Sequence, residues 1–128
     1  LAAQPLMTTL LGAELLRVAP GEVEIAVAAR AELLQPHGNV HGVVASALAD
    51  SAAGYAVQTL LAEGMDVVTV ESKINFLAPG IGTRIRALGT VLRTGRTLSV
   101  CVADVYAEEG ERSTLFAHMV ATMMAVAH

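Results

Sequence analysis

This chain of 128 residues carries a net charge of -4, and 54% of its residues are hydrophobic whereas 16% are charged. Its length corresponds to one domain that buries roughly 68% of its unfolded surface, so one core suffices and a disordered chain is excluded. The acidic balance argues against nucleic-acid binding, and the single cysteine, Cys101, excludes an intrachain disulfide framework or a zinc site built on cysteine pairs.

The N-terminal half predicts one strand and one long helix. Pro5 favours a short helix over residues 6–11, and Pro20-Gly21 indicates a turn. Residues 22–29 alternate between apolar and polar positions, as in a half-buried strand. A loop over residues 35–42 then leads into residues 43–61, which predict a helix because they are rich in Ala and Leu and contain no proline.

The C-terminal half predicts strands only. Four segments with strand patterns are separated by turn residues, and they cover residues 67–77, 84–92, 97–106 and 113–126. The predicted order is therefore a strand, a long helix and four antiparallel strands joined by short turns. This order is typical of an α+β fold in which one face of a sheet covers the helix.

Asp50 is the only charged residue between positions 43 and 62, which predicts a helix buried on nearly all sides. A buried carboxylate is costly unless it lies on a cleft or finds a partner. The residues one helical turn away are all small, namely Ser46, Ala47, Ala53 and Gly54, so Asp50 is expected to face a gap. The alternative is an acid held by a neighbouring hydroxyl or backbone amide without a catalytic role.

The predicted helix starts directly after a loop that ends at His41-Gly42. The first N–H groups of a helix lack internal acceptors, and Gly42 has no Cβ to obstruct a ligand oxygen. Such an amide can polarise a carbonyl, although Gly42 could also serve only a tight loop entry. Gly42 and Asp50 are separated by about 12 Å of helix. If both act on one substrate, they must come from different chains around a two-fold axis.

At these residues the sequence resembles the hot-dog thioesterases, in particular the phenylacetate-degradation and 4-hydroxybenzoyl-CoA thioesterases with an acid on the central helix. The resemblance extends from about residue 12 to residue 126. It rests on Gln35, Gly38, His41-Gly42 and Leu48-Ala49-Asp50, on the strand at 68–79 and on the hairpin at 89–102.

This resemblance implies a single hot-dog domain over residues 1–128, with a long central helix wrapped by a curved antiparallel β-sheet. It implies a homodimer with a continuous sheet, paired again into a homotetramer, that hydrolyses an aryl- or medium-chain acyl-CoA to a free acid and CoA without a cofactor or metal. Asp50 matches the nucleophile or general base, and Gly42 matches the amide that polarises the thioester carbonyl. Gln35 matches the residue that positions water or carbonyl, and Thr69 matches the hydroxyl that holds the attacking water.

Further residues are candidates for substrate binding. His41 is expected to orient the loop through a hydrogen bond, and Val43 replaces a glycine of the family pattern, which narrows the thioester channel. Gly54 lacks the hydroxyl found there in some aryl-CoA enzymes. Arg93 and Arg96, two of the four arginines between positions 84 and 96, suit the phosphates of CoA; their alternative role is a solvated strand edge.

Two other functions remain open at this point. A hot-dog enoyl-CoA hydratase or dehydratase would use a loop histidine, but its Asp-x-Asn-Pro-x-His signature is absent. A non-catalytic acyl-CoA-binding protein would bind CoA esters without turnover, and Val43 is the feature that favours it.

The longest apolar stretch, residues 40–62, raises the question of a membrane span. An acid such as Asp50 near its middle would cost a spanning helix about 2.5–3.5 kcal/mol, so we interpret the stretch as a buried helix and expect no membrane partner. No basic segment precedes an apolar run at the N-terminus, so no secretory signal is visible. We therefore expect a cytoplasmic protein.

Overall fold

The structure is a computed structural model that describes residues 4–127. A single long helix, α1, spans Gly42–Gln58. It is accompanied by one π-helical turn at Leu6–Leu10 and one 3-10 turn at Ala31–Leu33. The strands are β1 (Glu14–Ala19), β2 (Glu22–Ala28), β3 (Met65–Phe76), β4 (Arg84–Thr94), β5 (Leu98–Glu109) and β6 (Arg112–Ala127). No helix within residues 4–127 is long and apolar enough to cross a membrane.

The six strands form one antiparallel sheet in the order β1-β2-β4-β5-β6-β3, and α1 packs against one of its faces. The alternating apolar positions of β2, β4 and β5 point toward the helix. On α1 the contact is made by small residues, including Ala49, Ala52 and Ala53, all fully buried. The predicted α+β arrangement of one long helix on an antiparallel sheet is therefore confirmed.

Gly89 of β4 allows the helix to approach the sheet closely. A Cβ at this position would lie 2.3 Å from the carbonyl oxygen of Ala52, a distance that no side chain could occupy. Backbone contact at this point holds the middle of α1, and with it Asp50, at a fixed height over the sheet.

The strand β1 is absent from the sequence-based prediction, which gave five strands rather than six. Its sequence, Glu-Leu-Leu-Arg-Val-Ala, does not alternate between apolar and polar residues. In the structure a register shift between Leu15 and Arg17 interrupts its pairing with β2, so an alternating pattern is not needed there. The bulge brings Leu15 and Val18, rather than residues two apart, opposite the inward-facing Ile25 and Val23 of β2.

The prediction that short turns join all four later strands holds for β4–β5 and β5–β6 but not for the connection from β3 to β4. The strand β3 pairs with β6 at one edge of the sheet, so the chain crosses from that edge to the middle before it enters β4. Within the described residues the other side of β3 has no partner strand. Hydrophobic periodicity identifies strands but does not tell which of them pair.

The expectation that α1 is buried on nearly all sides does not hold for the single chain. Asp50 is exposed, and Val43 at the start of the helix is 68% exposed. The sheet covers only one face of α1, and the Asp50 carboxylate lies at the margin of that face, beside the edge strand β3. The helix also begins at Gly42 and ends at Gln58, three residues before the predicted end, because the next residues form a tighter turn in which the Leu60 N–H bonds to the Val57 carbonyl.

Candidate active site

The central contact of the candidate site joins Asp50 in the middle of α1 to Thr69 on β3. The Thr69 hydroxyl donates to Asp50 Oδ1 at 2.6 Å, and the Thr69 Oγ1 also lies 3.2 Å from the sulfur of Met123 on β6. A threonine hydroxyl has one proton, and here that proton is donated to Oδ1. The bond restricts the rotation of the carboxylate. Asp50 Oδ2 accepts no hydrogen bond from any of residues 4–127 and is free to accept a proton.

Asp50 and Thr69 face a polar pocket of about 90 Å³. This volume matches about three water molecules at their liquid packing of roughly 30 Å³ each. Gly54 also lines the pocket, and a Cβ at Gly54 would approach only Val67 at 3.7 Å, so the glycine is not required by a clash. The remaining lining residues are Gln4, Ser51, Tyr55, Gln58, Asp66, Val67 and Met123. The gap predicted beside Asp50 is therefore present.

A hydroxyl that holds an acid is also what the non-catalytic alternative for Asp50 requires. A catalytic Asp50 differs from a non-catalytic one in its second oxygen, Oδ2, and in the space around that oxygen. A structural acid needs only the hydroxyl, whereas Asp50 is exposed and keeps its second oxygen free of donors from residues 4–127, beside a pocket with room for water. The second carboxylate in the pocket, Asp66, uses one oxygen on the neighbouring Val67 N–H at 2.8 Å.

The start of α1 is capped by His41. Its Nδ1 accepts a hydrogen bond from the Val43 N–H at 3.1 Å, and its carbonyl accepts from the Val44 N–H at 3.0 Å. The N–H of Gly42, which lies between His41 and Val43 in the sequence, has no acceptor among residues 4–127. An unused donor therefore lies at the positive end of the helix dipole, as the sequence predicts. With Nδ1 occupied as an acceptor, His41 ties the end of the loop to the first turn of α1.

Phe76 at the end of β3 covers Gly42. A Cβ added to Gly42 would lie 3.0 and 3.1 Å from two ring carbons of Phe76, so the ring occupies the space that a side chain would need. The ring remains 52% exposed and leans on Phe116 with a centroid separation of 6.1 Å. Sequence reasoning missed this neighbour because a contact between a helix start and a distant strand end leaves no periodic signal.

Gln35 closes the loop that leads into α1. Its side-chain oxygen accepts from the His37 N–H at 3.2 Å, and its main chain bonds to Asn39 and Gly38. Gln35 thus belongs with His41, Gly42 and Val43 at the start of the helix. None of these four residues lines the pocket that holds Asp50, Thr69 and Gly54. The candidate residues form two groups within one chain, about 12 Å of helix apart.

The four arginines between positions 84 and 96 divide into two pairs. Arg84 and Arg86 both bond to Glu108, at 2.8 and 3.0 Å, and Arg86 also reaches Glu24 at 3.1 Å. Burial would raise the pKa of Glu108, but the hydrogen bonds and charges of the two arginines outweigh burial and lower it. Arg93 and Arg96 lie exposed at the β4–β5 turn and make no ion pair within the described part of the chain.

Cys101 on β5 is fully buried. Burial and, to a smaller extent, the charge of Asp50 raise the pKa of its thiol to about 11. The thiol is therefore protonated near neutral pH, and its sulfur approaches the Ala121 carbonyl oxygen at 3.6 Å. Since the thiolate is the reactive form of cysteine, Cys101 is unsuited to act as a nucleophile here.

This raised pKa predicts a loss of stability at high pH. Below the usual cysteine value of 9.0 both the folded and the unfolded chain keep the proton, and the stabilising contribution is complete. Above it the unfolded chain releases the proton first, so stability falls until the folded pKa of about 11 is passed. We expect a loss on the order of 2 kcal/mol from this group. Urea unfolding between pH 8 and 11 measures it, and Cys101→Ala should show a shallower slope; equal slopes would contradict this origin.

Comparison with known proteins gives a family match and several similar solved structures. The family described as the thioesterase superfamily matches residues 37–114. The crystal structure of a thioesterase family protein from Silicibacter pomeroyi is 42% identical and superposes with a TM-score of 0.93, covering 99% of this chain and 93% of that one. The structure of a thioesterase from Haemophilus influenzae is 26% identical and superposes with a TM-score of 0.85, covering 94% of this chain and 82% of that one.

A curated protein of Haemophilus influenzae, provisionally described as an esterase, is 33% identical over 78 residues. The match covers 61% of this chain and 56% of that protein, so the chain matches little more than half of this relative's length.

Proposed function

The chain belongs to the thioesterase superfamily, and from this premise we propose that it hydrolyses an acyl-CoA thioester to a free acid and CoA. One observation carries the proposal: a carboxylate fixed by a threonine hydroxyl keeps its second oxygen free beside a pocket with room for water. A non-catalytic binding protein would gain nothing from an exposed acid with an unused oxygen, since an unpaired carboxylate adds no affinity for an acyl group.

The reaction can follow two courses at Asp50. As a general base, Asp50 Oδ2 takes a proton from water while the water oxygen forms a bond to the thioester carbon; the C–S bond then breaks, and the proton passes to the departing sulfur. As a nucleophile, the carboxylate itself bonds to the carbonyl carbon and expels the thiolate, and water cleaves the resulting anhydride. In both courses the Thr69 oxygen, whose proton is engaged in the hydrogen bond to Asp50 Oδ1, can accept a hydrogen bond from the water.

We propose that the oxyanion is held by Gly42 of a second chain. In one chain about 12 Å of helix separates Gly42 from Asp50, too far for one carbonyl to reach both. The side of α1 opposite the sheet is uncovered in the single chain, and β3 offers an unpaired edge with exposed Val68 and Val70. A homodimer that pairs the two β3 edges and packs the two α1 helices antiparallel would cover both surfaces and form two composite sites. A homotetramer would pair two such dimers.

The remaining candidate residues have roles on the same substrate. Gln35 and His41 keep the loop and the helix start in place around the Gly42 amide, and Val43 borders the entrance. Arg93 and Arg96 suit the phosphates of CoA because their guanidinium groups are exposed and carry no intramolecular ion pair within residues 4–127. The acyl group would be an aryl or a medium-chain group.

The proposal is tested by following free thiol with a thiol-reactive dye over a series of acyl-CoAs from acetyl to decanoyl, with benzoyl and phenylacetyl. We expect thiol release that depends on the enzyme and varies with the acyl group. Crotonyl-CoA is included as a control for hydration, which removes its conjugated double bond without releasing thiol. Binding of acyl-CoA measured by calorimetry without any thiol release would contradict hydrolysis and indicate a binding protein.

A further inference from the structure

Both phenylalanines of the chain lie beside the start of α1. The sequence contains two phenylalanines, two tyrosines and no tryptophan, so aromatic rings are scarce in this protein. Phe76 at the end of β3 and Phe116 on β6 nevertheless pack together, with ring centroids 6.1 Å apart and a tilt of 48° between the ring planes. Phe76 is the ring that covers Gly42, the residue at which α1 begins.

Phe116 provides a fixed surface for the Phe76 ring. Phe116 is buried, and a Cβ at Gly80 would lie 2.6 Å from one of its ring carbons, so the backbone of the β3–β4 connection closes directly on this ring. The Phe116 carbonyl accepts a hydrogen bond from the Leu77 N–H at 2.8 Å. The Gly80 carbonyl accepts from the Val40 N–H at 2.8 Å, which ties the same connection to the loop before α1. Backbone bonds therefore fix the position of Phe76 relative to the helix start.

Packing alone explains only part of the position of Phe76. The ring is half exposed, so it gains only part of the stabilisation that a fully buried aromatic side chain provides. Single exposed apolar side chains are common, and the alternative is that Phe76 only packs against Phe116. Phe76 is distinguished by its neighbour. The three heavy atoms nearest to a Cβ at Gly42, apart from its chain neighbours and its own helix backbone, all belong to the Phe76 ring, and the Gly42 N–H has no acceptor among residues 4–127.

A hydrocarbon ring beside an unpaired N–H changes what can reach that N–H. The Phe76 ring occupies the side of Gly42 toward which a Cβ would point, so neither water nor a substrate oxygen can approach from that side. Where water is excluded, an N–H dipole attracts a negatively charged oxygen more strongly than it does in open solvent. A donor that is fixed before the reaction also needs no reorientation as the charge develops. The ring therefore favours an oxyanion that arrives from the open side of Gly42.

We propose that Phe76 is a positioning residue for thioester hydrolysis: its ring keeps water from one side of the Gly42 amide and directs the carbonyl oxygen of the substrate onto the Gly42 N–H. The inference rests on the proposed function, and within it on the oxyanion role of Gly42. Because Phe76 acts through this N–H, its contribution arises mainly in the transition state, where the oxygen carries its charge. Removal of the ring should therefore lower kcat while KM changes little.

Phe76→Ala and Leu77→Ala form a matched pair. Both remove a large, half-exposed apolar side chain at consecutive positions, and the Phe76 ring is the one that meets Gly42. We expect Phe76→Ala to lower kcat about tenfold, a fraction of the 10²–10³-fold that a whole oxyanion donor supplies, and Leu77→Ala to leave kcat nearly unchanged. Phe76→Tyr keeps the ring and should retain the native kcat. Unfolding curves accompany each variant, and Phe76→Leu, which keeps apolar volume without a flat ring, replaces Phe76→Ala if that variant does not fold.

A second measurement separates a positioning role from a structural one. Gly42→Ala and Gly42→Pro both add a Cβ, but only Pro removes the N–H, so the ratio of their kcat/KM values measures the contribution of the N–H. We expect this ratio to be about 10²–10³ with Phe76 present and at least about fivefold smaller in the Phe76→Ala background. A ring that only packs would lower both Gly42 variants equally. An unchanged ratio in an active enzyme would overturn the role of Phe76 and leave the thioesterase function intact.

The shielding of the Gly42 N–H is measured without any activity. Its exchange with solvent hydrogen is followed by NMR in the native chain, in Phe76→Ala and in Leu77→Ala, because an N–H without a hydrogen bond exchanges as freely as water reaches it. We expect faster exchange in Phe76→Ala and no change in Leu77→Ala. If the native chain hydrolyses no acyl-CoA, the thioesterase function is contradicted, and the exchange rates alone decide whether Phe76 shields the amide. Equal rates in all three proteins would overturn the shielding.

Discussion

Replacing Asp50 by Asn should lower kcat/KM for acyl-CoA hydrolysis by about 10²–10⁴-fold, the range that a positioned general base contributes. Asn has nearly the same shape, and its side-chain oxygen can still accept the Thr69 hydroxyl that Asp50 Oδ1 accepts at 2.6 Å. The variant therefore keeps the pocket but has no oxygen able to take a proton or attack a carbonyl carbon. Thiol release measures the loss, and the free energy of unfolding should stay close to that of the native chain.

The matched control is Asp66→Asn, because Asp66 is the other carboxylate that lines the same pocket. Its Oδ1 accepts a hydrogen bond from the Val67 N–H, so this oxygen is bound to the backbone and not available to the substrate. We expect less than about a tenfold loss from this change, since general charge in the pocket contributes less than a positioned base. Near-native turnover in Asp50→Asn, or equal losses in both variants, would contradict the assigned role of Asp50.

Sequence patterns predict the helix and five of the six strands because each of these segments is a regular or continuous apolar run bounded by turn residues. The strand β1 has no such pattern, since the bulge at Leu15 and Arg17 breaks its alternation. The order of the sheet is not encoded locally either. The strand β3 reaches the edge beside β6 through long-range pairing, such as that of Thr69 with Met123. Superposition on solved thioesterase structures confirms the hot-dog fold that the resemblance implies.

The candidate site is predictable to a smaller extent. Helix spacing places Gly54 beside Asp50, and the resemblance adds Thr69, and all three line one pocket. The predicted burial of Asp50 is wrong for the single chain, since composition indicates that a helix will be covered but not which surface covers it. The position of Phe76 over Gly42 follows from tertiary packing, which no local pattern contains.

Replacing Gly42 by Pro should lower kcat/KM by about 10²–10³-fold, the loss typical of one missing oxyanion donor. Gly42 is the first residue of α1, a position at which proline is favoured because the N–H there has no partner in the helix. His41 before it has φ -63° and ψ 139°, an extended conformation compatible with a following proline. The substitution thus removes the N–H while the backbone conformation at the start of the helix stays the same.

The control for this change is Gly42→Ala, which adds a Cβ but keeps the N–H. In both variants the new Cβ lies about 3.0 Å from the nearest carbon of the Phe76 ring. Both therefore require the half-exposed ring to shift by a few tenths of an ångström. The difference in thiol release between Pro and Ala therefore reports the N–H. Equal losses in the two variants would assign the effect to the Phe76 contact and contradict the oxyanion role.

Co-expression of Gly42→Pro with Asp50→Asn then decides whether the site is shared between chains. If Asp50 of one chain works with Gly42 of the other, a mixed dimer contains one intact site and one doubly altered site. Random association makes about half of the dimers mixed, so roughly a quarter of the native sites return although each variant alone is inactive. If both residues act within one chain, every site carries one lesion and no activity returns. Recovery is therefore expected only from a composite site, the arrangement proposed above for two residues that lie about 12 Å of helix apart.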